Sequence, residues 1–240
     1  MTARQLRANV NKLVLFDIDG TILLTSGAGR RAIVTAIAEE VGSNAALSRV
    51  RFDGKTDPQI VIELLAAAGH DEAPSPDRIQ SICRRYVELL AAELDRPTTC
   101  TSLMPGIPDL LDRLEQEQGV VLGLLTGNVA KGAELKLRSG GIDPQRFRVG
   151  AYGSDAAHRP ELPPIAVQRA VRYFGREPTG QEVVIIGDTP ADIACGSCIQ
   201  ARAVAVATGG YSVADLTACR PHAVFEDLSD TESVLASILD

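Results

Sequence analysis

The sequence has few of the residues that mark membrane or nucleic-acid proteins. It has no tryptophan, aromatic residues make up only 4% of its 240 positions, and its net charge is −7. No apolar stretch reaches the roughly 18 residues that span a bilayer, and no run of lysine and arginine marks a nucleic-acid or anionic membrane surface. We therefore expect neither a nucleic-acid partner nor a membrane partner.

Cysteine is also scarce, with five residues in the whole chain. An odd number favours reduced thiols over a disulfide framework, and the polar N-terminal segment lacks the apolar stretch of a secretion signal. Both features predict a cytoplasmic protein. Cys195 and Cys198 form a CxxC pair, but its context is unlike a thioredoxin site and no second Cys/His pair completes a zinc site. We expect buried or half-buried helical thiols.

Hydrophobic residues make up 45% of the sequence, enough for a full core. Four successive apolar residues at 13–16 are typical of a strand buried on both faces of a parallel sheet. Further strand-like runs lie at 120–126, 147–152, 182–187 and 203–208, with a weaker one at 222–225. Helical periodicity separates them, notably at 107–117 and 165–174. This alternation predicts an α/β fold with a doubly wound, Rossmann-like parallel sheet.

The interval between the first predicted strand (13–16) and the second (120–126) is unusually long, and roughly eighty of its residues, about 23–101, are not needed to connect the two strands. A crossover between parallel strands needs about a dozen residues, and the helix at 107–117 supplies them. The remaining residues carry three helical patterns of their own. We therefore predict an α/β core of residues 1–22 and 102–240, with an inserted all-α cap at 23–101 that covers the carboxyl edge of the sheet.

Polar residues follow the predicted strands where each strand ends. Parallel strands bring these ends to one rim, where open α/β sheets bind ligands. The candidate residues in chain order are Asp17, Asp19, Thr126, Gly127, Asn128, Arg159, Asp188 and Asp192. Each has a plain structural alternative, such as a helix N-cap for Thr126 or a helix-dipole partner for Asp192. Their joint placement at strand ends favours a functional site.

These residue types suit phosphoryl transfer. Clustered carboxylates without histidine or cysteine partners select Mg²⁺, a hard cation that prefers oxygen ligands. One carboxylate can attack phosphorus and form an aspartyl-phosphate, and a second can protonate the leaving alkoxide and then activate water. Cations neutralise the transferred group, while Thr126 and the N–H groups of Gly127 and Asn128 would hold its remaining oxygens.

Four motifs resemble those of the haloacid dehalogenase-superfamily hydrolases. They are Asp17-Ile-Asp-Gly-Thr21, Thr126 after an apolar strand, Arg159 followed by proline, and Gly187-Asp188-x-x-x-Asp192. Their order and spacing resemble the phosphoglycolate-phosphatase-like branch, whose helical (C1-type) cap follows the first motif. The resemblance implies a nucleophile at Asp17, a general acid/base at Asp19, phosphate binding by Thr126 and Arg159, and Mg²⁺ binding by Asp17, Asp188, Asp192 and the Asp19 backbone carbonyl.

One motif departs from the usual pattern of the family. The third motif more often carries lysine, so Lys131 is the alternative to Arg159, although arginine keeps the fixed charge that phosphate neutralisation needs.

Loop 52–57 resembles the specificity loop that such caps insert into the site, which makes Lys55 and Thr56 candidates for substrate contact. The plain alternative is that Thr56 or Asp57 caps the following helix, with Pro58 in its first turn.

The favoured function is Mg²⁺-dependent hydrolysis of a small phosphomonoester through an aspartyl-phosphate. A mutase would use the same site to pass the phosphoryl group to a sugar phosphate. A dehalogenase would need neither Asp19 nor Asp188, and a catalytically silent scaffold would have lost one of the acids. The low aromatic content tilts the expected substrate from nucleotides toward a small phosphorylated metabolite of the sugar or glycolate type.

Overall fold

The computed structural model describes residues 11–42, 50–70 and 72–240. Its strands are β1 (Lys12–Phe16), β2 (Leu23–Leu24), β3 (Ser102–Leu103), β4 (Val120–Thr126), β5 (Val149–Tyr152), β6 (Val183–Gly187), β7 (Arg202–Val206) and β8 (Ala223–Phe225). Its helices are α1 (Ala28–Val41), α2 (Asp57–Ala67), α3 (Pro76–Leu94), α4 (Ile107–Gln116), α5 (Ala130–Ser139), α6 (Leu162–Phe174), α7 (Pro190–Cys195), α8 (Val213–Ala218) and α9 (Thr231–Leu239).

Six of these strands form one sheet in the order β5-β4-β1-β6-β7-β8. Every pair in this sheet is parallel, and helices α4 to α9 alternate with its strands along the chain. The predicted α/β fold is confirmed. Strand β1 lies in the interior of the sheet, where Leu13, Val14, Leu15 and Phe16 are fully buried, because one face packs on each of two apolar clusters.

Several predicted bounds shift in the structure. Strand β5 begins at Val149 rather than at 147, because a 3₁₀ turn at Pro144–Arg146 holds the Phe147 N–H against Pro144 O. Strand β7 ends at Val206. Cys195 ends helix α7 and is buried, as expected, but Cys198 lies on the following 3₁₀ turn Gly196–Ile199 and is exposed. The expectation of a buried or half-buried thiol was therefore wrong for Cys198.

Helices α1, α2 and α3 form a separate layer, which we call the cap. Their apolar faces enclose their own cluster, in which Ile37, Leu64 and Leu65 are fully buried. The two-stranded ribbon of β2 and β3 pairs Leu23 with Leu103, so the chain enters and leaves the cap side by side. Residues 1–10 of the predicted core, and 43–49 and 71 of the predicted cap, lie outside the described residues. The division of the chain at 23 and 101 stays a prediction, and the ribbon crosses it, with β2 on the cap side and β3 on the core side.

The local sequence explains where the cap helices α2 and α3 begin. The hydroxyl of Thr56 accepts a hydrogen bond from the Gln59 N–H at 3.2 Å, and Ser75 does the same for the Arg78 N–H at 3.3 Å. Each is an N-cap that satisfies one exposed donor of the first turn.

Among the described helices, none has the length and apolar character to cross a bilayer.

Candidate active site

The carboxyl ends of β1 and β6 bring acids from distant parts of the chain together. Asp17 directly follows β1, and its N–H donates to Ile186 O at 2.9 Å on β6. Asp188 directly follows β6, and Asp192 lies in the first turn of α7. All three acids are buried, and one carboxylate oxygen from each lies within 4.8 Å of the others. The structure thus places these predicted site residues in a single cluster.

One buried guanidinium lies among these acids. Arg159 is only 4% exposed, and its Nη2 atom lies 3.0 Å from Asp17 Oδ1. The same atom pairs with Asp192 Oδ1 and donates to Leu125 O at 3.3 Å. The alternative cation, Lys131, has a side chain that is 61% exposed and pairs with Glu134 at 2.9 Å. The cation beside Asp17 is therefore Arg159.

Asp192 helps to cap the N-terminal end of helix α7. Its Oδ2 atom accepts from the Thr189 N–H at 3.0 Å and from the Thr189 hydroxyl at 2.6 Å. The Asp192 N–H donates back to the Thr189 hydroxyl at 3.2 Å, which completes a capping box. Because Oδ1 already pairs with Arg159, both carboxylate oxygens are occupied. A metal role for Asp192 stays a prediction, and its visible role is to anchor Arg159.

The residues after β4 form a loop against Asp19. The Thr126 hydroxyl accepts from the Asn128 N–H at 3.3 Å and from Asn128 Nδ2 at 2.8 Å. Asn128 Nδ2 also donates to Asp19 Oδ2 at 2.8 Å. Asn128 Oδ1 is buried and has no hydrogen-bond partner among the described residues. Thr126, Gly127 and Asn128 all line the cavity that contains Asp17 and Asp19. Phosphate binding by this loop stays a prediction.

Two acids of the cluster, Asp17 and Asp188, resist ionisation. Burial raises the pKa of Asp17, which Arg159 opposes, while the neighbouring carboxylates of Asp192 and Asp19 add to the rise. Burial, together with Asp192 and Asp17, raises the pKa of Asp188 to about 8. Carboxylates that share a site cannot all ionise without a compensating charge. A cation beside Asp17 and Asp188 would supply that charge.

The donor set around Asp188 fits Mg²⁺. Its Oδ1 atom accepts from the Thr21 hydroxyl at 3.2 Å, and its Oδ2 atom lies against two glycines. A Cβ added to Gly20 would lie 2.4 Å from Oδ2, and one added to Gly209 would lie 1.8 Å from it. Both glycines therefore leave space that the carboxylate needs. Mg²⁺ takes oxygen ligands in a small site with retained water, so Asp17 and Asp188 are the residues that suit it best.

Two residues of the site were missed by the sequence analysis. Lys136 on α5 has a side chain that is 5% exposed, and its Nζ lies 2.8 Å and 2.7 Å from the two oxygens of Asp19. Asp57 of the cap is buried and accepts from the Val129 N–H at 2.8 Å. Burial raises the pKa of Asp57 to about 7, against the attraction of Lys136. A charged residue in the buried stripe of α5 was the available signal for Lys136.

Loop 52–57 of the cap rests directly on the phosphate-loop candidate. The Asp57 N–H donates to Gly127 O at 2.7 Å, and the Thr56 hydroxyl donates to Ala157 O at 2.5 Å. Lys55 lines the cavity and pairs with Glu63 at 2.5 Å. Thr56 does not line the cavity, because it caps α2 and holds the loop on the core. The cavity between cap and core is open to solvent on one side and measures about 390 Å³.

Comparison with known proteins places the chain in a class and then in a family. Buried acids at the carboxyl edge of a parallel sheet, under a helical cap, define a capped α/β enzyme. The sequence model of the haloacid dehalogenase-like hydrolases matches residues 11–199, a range that contains all four motifs. The chain belongs to the haloacid dehalogenase-like hydrolases, which confirms the predicted resemblance.

Individual relatives agree with this assignment. A phosphoglycolate phosphatase from Cereibacter sphaeroides is 27% identical over 228 residues, which cover 94% of this chain and 98% of the relative. CbbY from Rhodobacter sphaeroides, solved in complex with phosphate, has a TM-score of 0.70 at 19% identity over 92% of this chain and 96% of that one. A Bacteroides vulgatus protein classed provisionally as a β-phosphoglucomutase has a TM-score of 0.67 at 17% identity, with coverage of 97% and 90%. The two structural similarities show a shared fold.

Proposed function

We propose that the protein is an Mg²⁺-dependent phosphatase that hydrolyses a small phosphomonoester through an aspartyl-phosphate on Asp17. One observation carries the proposal: the Arg159 guanidinium lies 3.0 Å from Asp17 Oδ1, and Asp17 clusters with the buried Asp188. A carboxylate that attacks a phosphate dianion needs neighbouring positive charge to offset the repulsion. Membership of this hydrolase family and the similarity to phosphoglycolate phosphatases support phosphatase activity.

The proposed reaction assigns a residue to each step. An Asp17 oxygen attacks phosphorus and forms the phosphoenzyme, while the Thr126 loop and Arg159 hold the phosphoryl oxygens. In the same step the bond from phosphorus to the leaving oxygen breaks, and Asp19 gives that oxygen its proton. Asp19 later takes a proton from the water that attacks the phosphoenzyme, which releases inorganic phosphate and free Asp17. Asp17, Asp188 and the Asp19 carbonyl would hold Mg²⁺, with Asp192 in support. Bound there, Mg²⁺ would neutralise charge on the transferred group.

The cavity favours a small substrate with an anionic group. A volume of about 390 Å³ suits a small metabolite. The cap contributes two cations to its lining, Arg30 and Lys55, and Arg30 lies 4.2 Å from the centre of the Phe52 ring. These positive side chains of the cap favour a leaving group that carries a carboxylate, as in a glycolate-type phosphate. The name of the Cereibacter relative agrees with this class.

A phosphoryl-transferring mutase is the second candidate. The structural similarity to the Bacteroides protein is the observation that favours it. Hydrolase and mutase differ in whether water or a sugar hydroxyl reaches the phosphoenzyme, so the products separate them. A dehalogenase would retain Asp17 but would have no use for a second acid or for the buried Asp188.

A phosphate-release assay tests the proposal. The purified protein with Mg²⁺ is incubated with 2-phosphoglycolate, hexose phosphates, nucleoside monophosphates and 4-nitrophenyl phosphate, and products are followed by ³¹P NMR. We expect inorganic phosphate, with the highest kcat/KM for small esters that carry a carboxylate. Interconverted hexose phosphates without phosphate release would indicate the mutase instead. No reaction with any ester would reject both candidates, and Asp17→Asn purified in parallel controls for contaminating phosphatases.

Gly127→Ala is expected to weaken docking of the cap loop. A Cβ at Gly127 would lie 2.0 Å from Lys55 O, so loop 52–57 must move off the phosphate loop. We expect kcat/KM to fall by about 10-fold or more, since small displacements of positioned groups are costly in catalysis. Gly132→Ala is the matched control, because its Cβ would find only ordinary contacts of 3.5 Å and longer. Equal kcat/KM for both variants would contradict the docking role.

A further inference from the structure

Lys136 is a buried cation with one visible task. Its Nζ atom lies 2.8 Å from Asp19 Oδ1 and 2.7 Å from Asp19 Oδ2, so one ammonium contacts both oxygens of the carboxylate. Asn128 Nδ2 donates to Oδ2 from a second direction at 2.8 Å. The Asp19 side chain remains 41% exposed and lines the cavity. Lys136 and Asn128 therefore hold the Asp19 carboxylate from two directions, while its exposed part faces the cavity.

The cap encloses the Lys136 ammonium. A Cβ on Gly29 of α1 would lie 3.1 Å from Nζ, and Tyr86 of α3 is buried beside Gly29 and lines the same cavity. Asp57 of the cap loop is a second acidic group near Lys136. Burying an ammonium is unfavourable unless its charge is paired. The chain keeps this lysine where the neighbouring stripe of α5 is otherwise small or apolar.

Orientation matters for an acid that must deliver a proton. Proton transfer requires the donor oxygen within hydrogen-bond reach of the leaving oxygen, and a carboxyl that rotates away loses this alignment. A side chain that is 41% exposed has room to rotate. Because Lys136 contacts both carboxylate oxygens of Asp19, it restricts rotation of the side chain. The part of Asp19 that faces the cavity stays accessible.

We propose that Lys136 is a positioning residue that holds Asp19 in the orientation for proton transfer to the leaving oxygen. This assignment rests on the proposed phosphatase function. It makes a specific distinction between substrates. A 4-nitrophenolate leaves without a proton, whereas an alkoxide needs one, so loss of Lys136 should harm the two kinds of ester unequally.

The test compares Lys136→Met with Lys131→Met, a matched control on the exposed side of the same helix. Steady-state kcat/KM is measured with 4-nitrophenyl phosphate and with the best alkyl phosphate of the substrate panel, because kcat/KM reports the step in which the leaving group departs. We expect Lys136→Met to lower kcat/KM about 100-fold for the alkyl ester and less than about 10-fold for the aryl ester. Lys131→Met should change neither.

Equal losses on both esters, or no loss on either, would overturn the positioning role. Circular dichroism and the thermal midpoint establish that the variant is folded. If Lys136→Met does not fold, Lys136→Gln keeps a polar end group and must show the same unequal loss. Failure of the proposed function gives a different result, because the unaltered protein would then hydrolyse neither ester.

Discussion

Asp17→Asn is expected to abolish turnover of 4-nitrophenyl phosphate, with kcat lowered by at least about 10⁴-fold. The amide has nearly the shape of the carboxylate, but it is a poor nucleophile and cannot form the phosphoenzyme. The fold should survive. Arg159 keeps its pair with Asp192, and removing a charge from a buried site relieves the desolvation that raises the Asp17 pKa.

Acid quenching checks the chemistry behind this loss. Brief incubation with a ³²P-labelled substrate should leave acid-stable label on the unaltered protein and none on Asp17→Asn. Asp112→Asn is the control, since it makes the same change at an exposed carboxylate that pairs with Arg146. Turnover by Asp17→Asn within about 10-fold of the unaltered protein, at an unchanged thermal midpoint, would refute the nucleophile assignment.

The parts of the site that were predicted from sequence are those with a local signal. Strand β1 is a continuous apolar run because both of its faces are covered, and the abrupt change to Asp17 marks where it leaves the core. Asp188 follows β6 in the same way. The parallel topology then places both strand ends at one rim. A short-range pattern and one topological rule were therefore enough to predict this cluster.

Other parts have only a partial local signal. The ion pair between Lys136 and Asp19 joins residues 117 positions apart; the buried stripe of α5 marks Lys136 as unusual but does not identify its partner. Asp57 reads as an ordinary helix-start acid, yet its carboxylate bonds the Val129 N–H on the other layer of the molecule. Such contacts depend on how the cap sits on the core, which pattern analysis of separate segments does not describe.

Arg159 and Asp192 lie between these two cases. Their positions after strand ends predicted that they belong to the site. The motifs do not specify which of the two contacts Asp17 and which holds the other in place, and the structure shows this. Asp192 uses one oxygen to cap α7 and the other to hold Arg159, and Arg159 in turn contacts Asp17. A motif defines which residues converge. Only the hydrogen bonds define which of them hold another in place.

Chelation is expected to silence the enzyme. EDTA should lower phosphatase activity by at least about 100-fold, and excess Mg²⁺ should restore it, because Asp17 and Asp188 lie together without enough positive charge to ionise both. Asp188→Asn should lose activity that added Mg²⁺ does not recover, whereas Asp112→Asn should respond to EDTA and Mg²⁺ as the unaltered protein does. Phosphatase activity that is indifferent to chelation would contradict the proposed Mg²⁺ dependence.

The same acids predict how metal binding depends on pH. The pKa of Asp188 rises from an ordinary 3.8 to about 8 in the folded, metal-free protein, so the native state holds a proton that the unfolded state has released. Its contribution to stability therefore falls as the pH rises between these values. Mg²⁺ competes with that proton, so 10 mM Mg²⁺ should raise the thermal midpoint by about 2–5 °C at pH 8 and by much less at pH 5. An equal shift at both pH values, or the same shift in Asp188→Asn, would exclude Asp188 as a ligand.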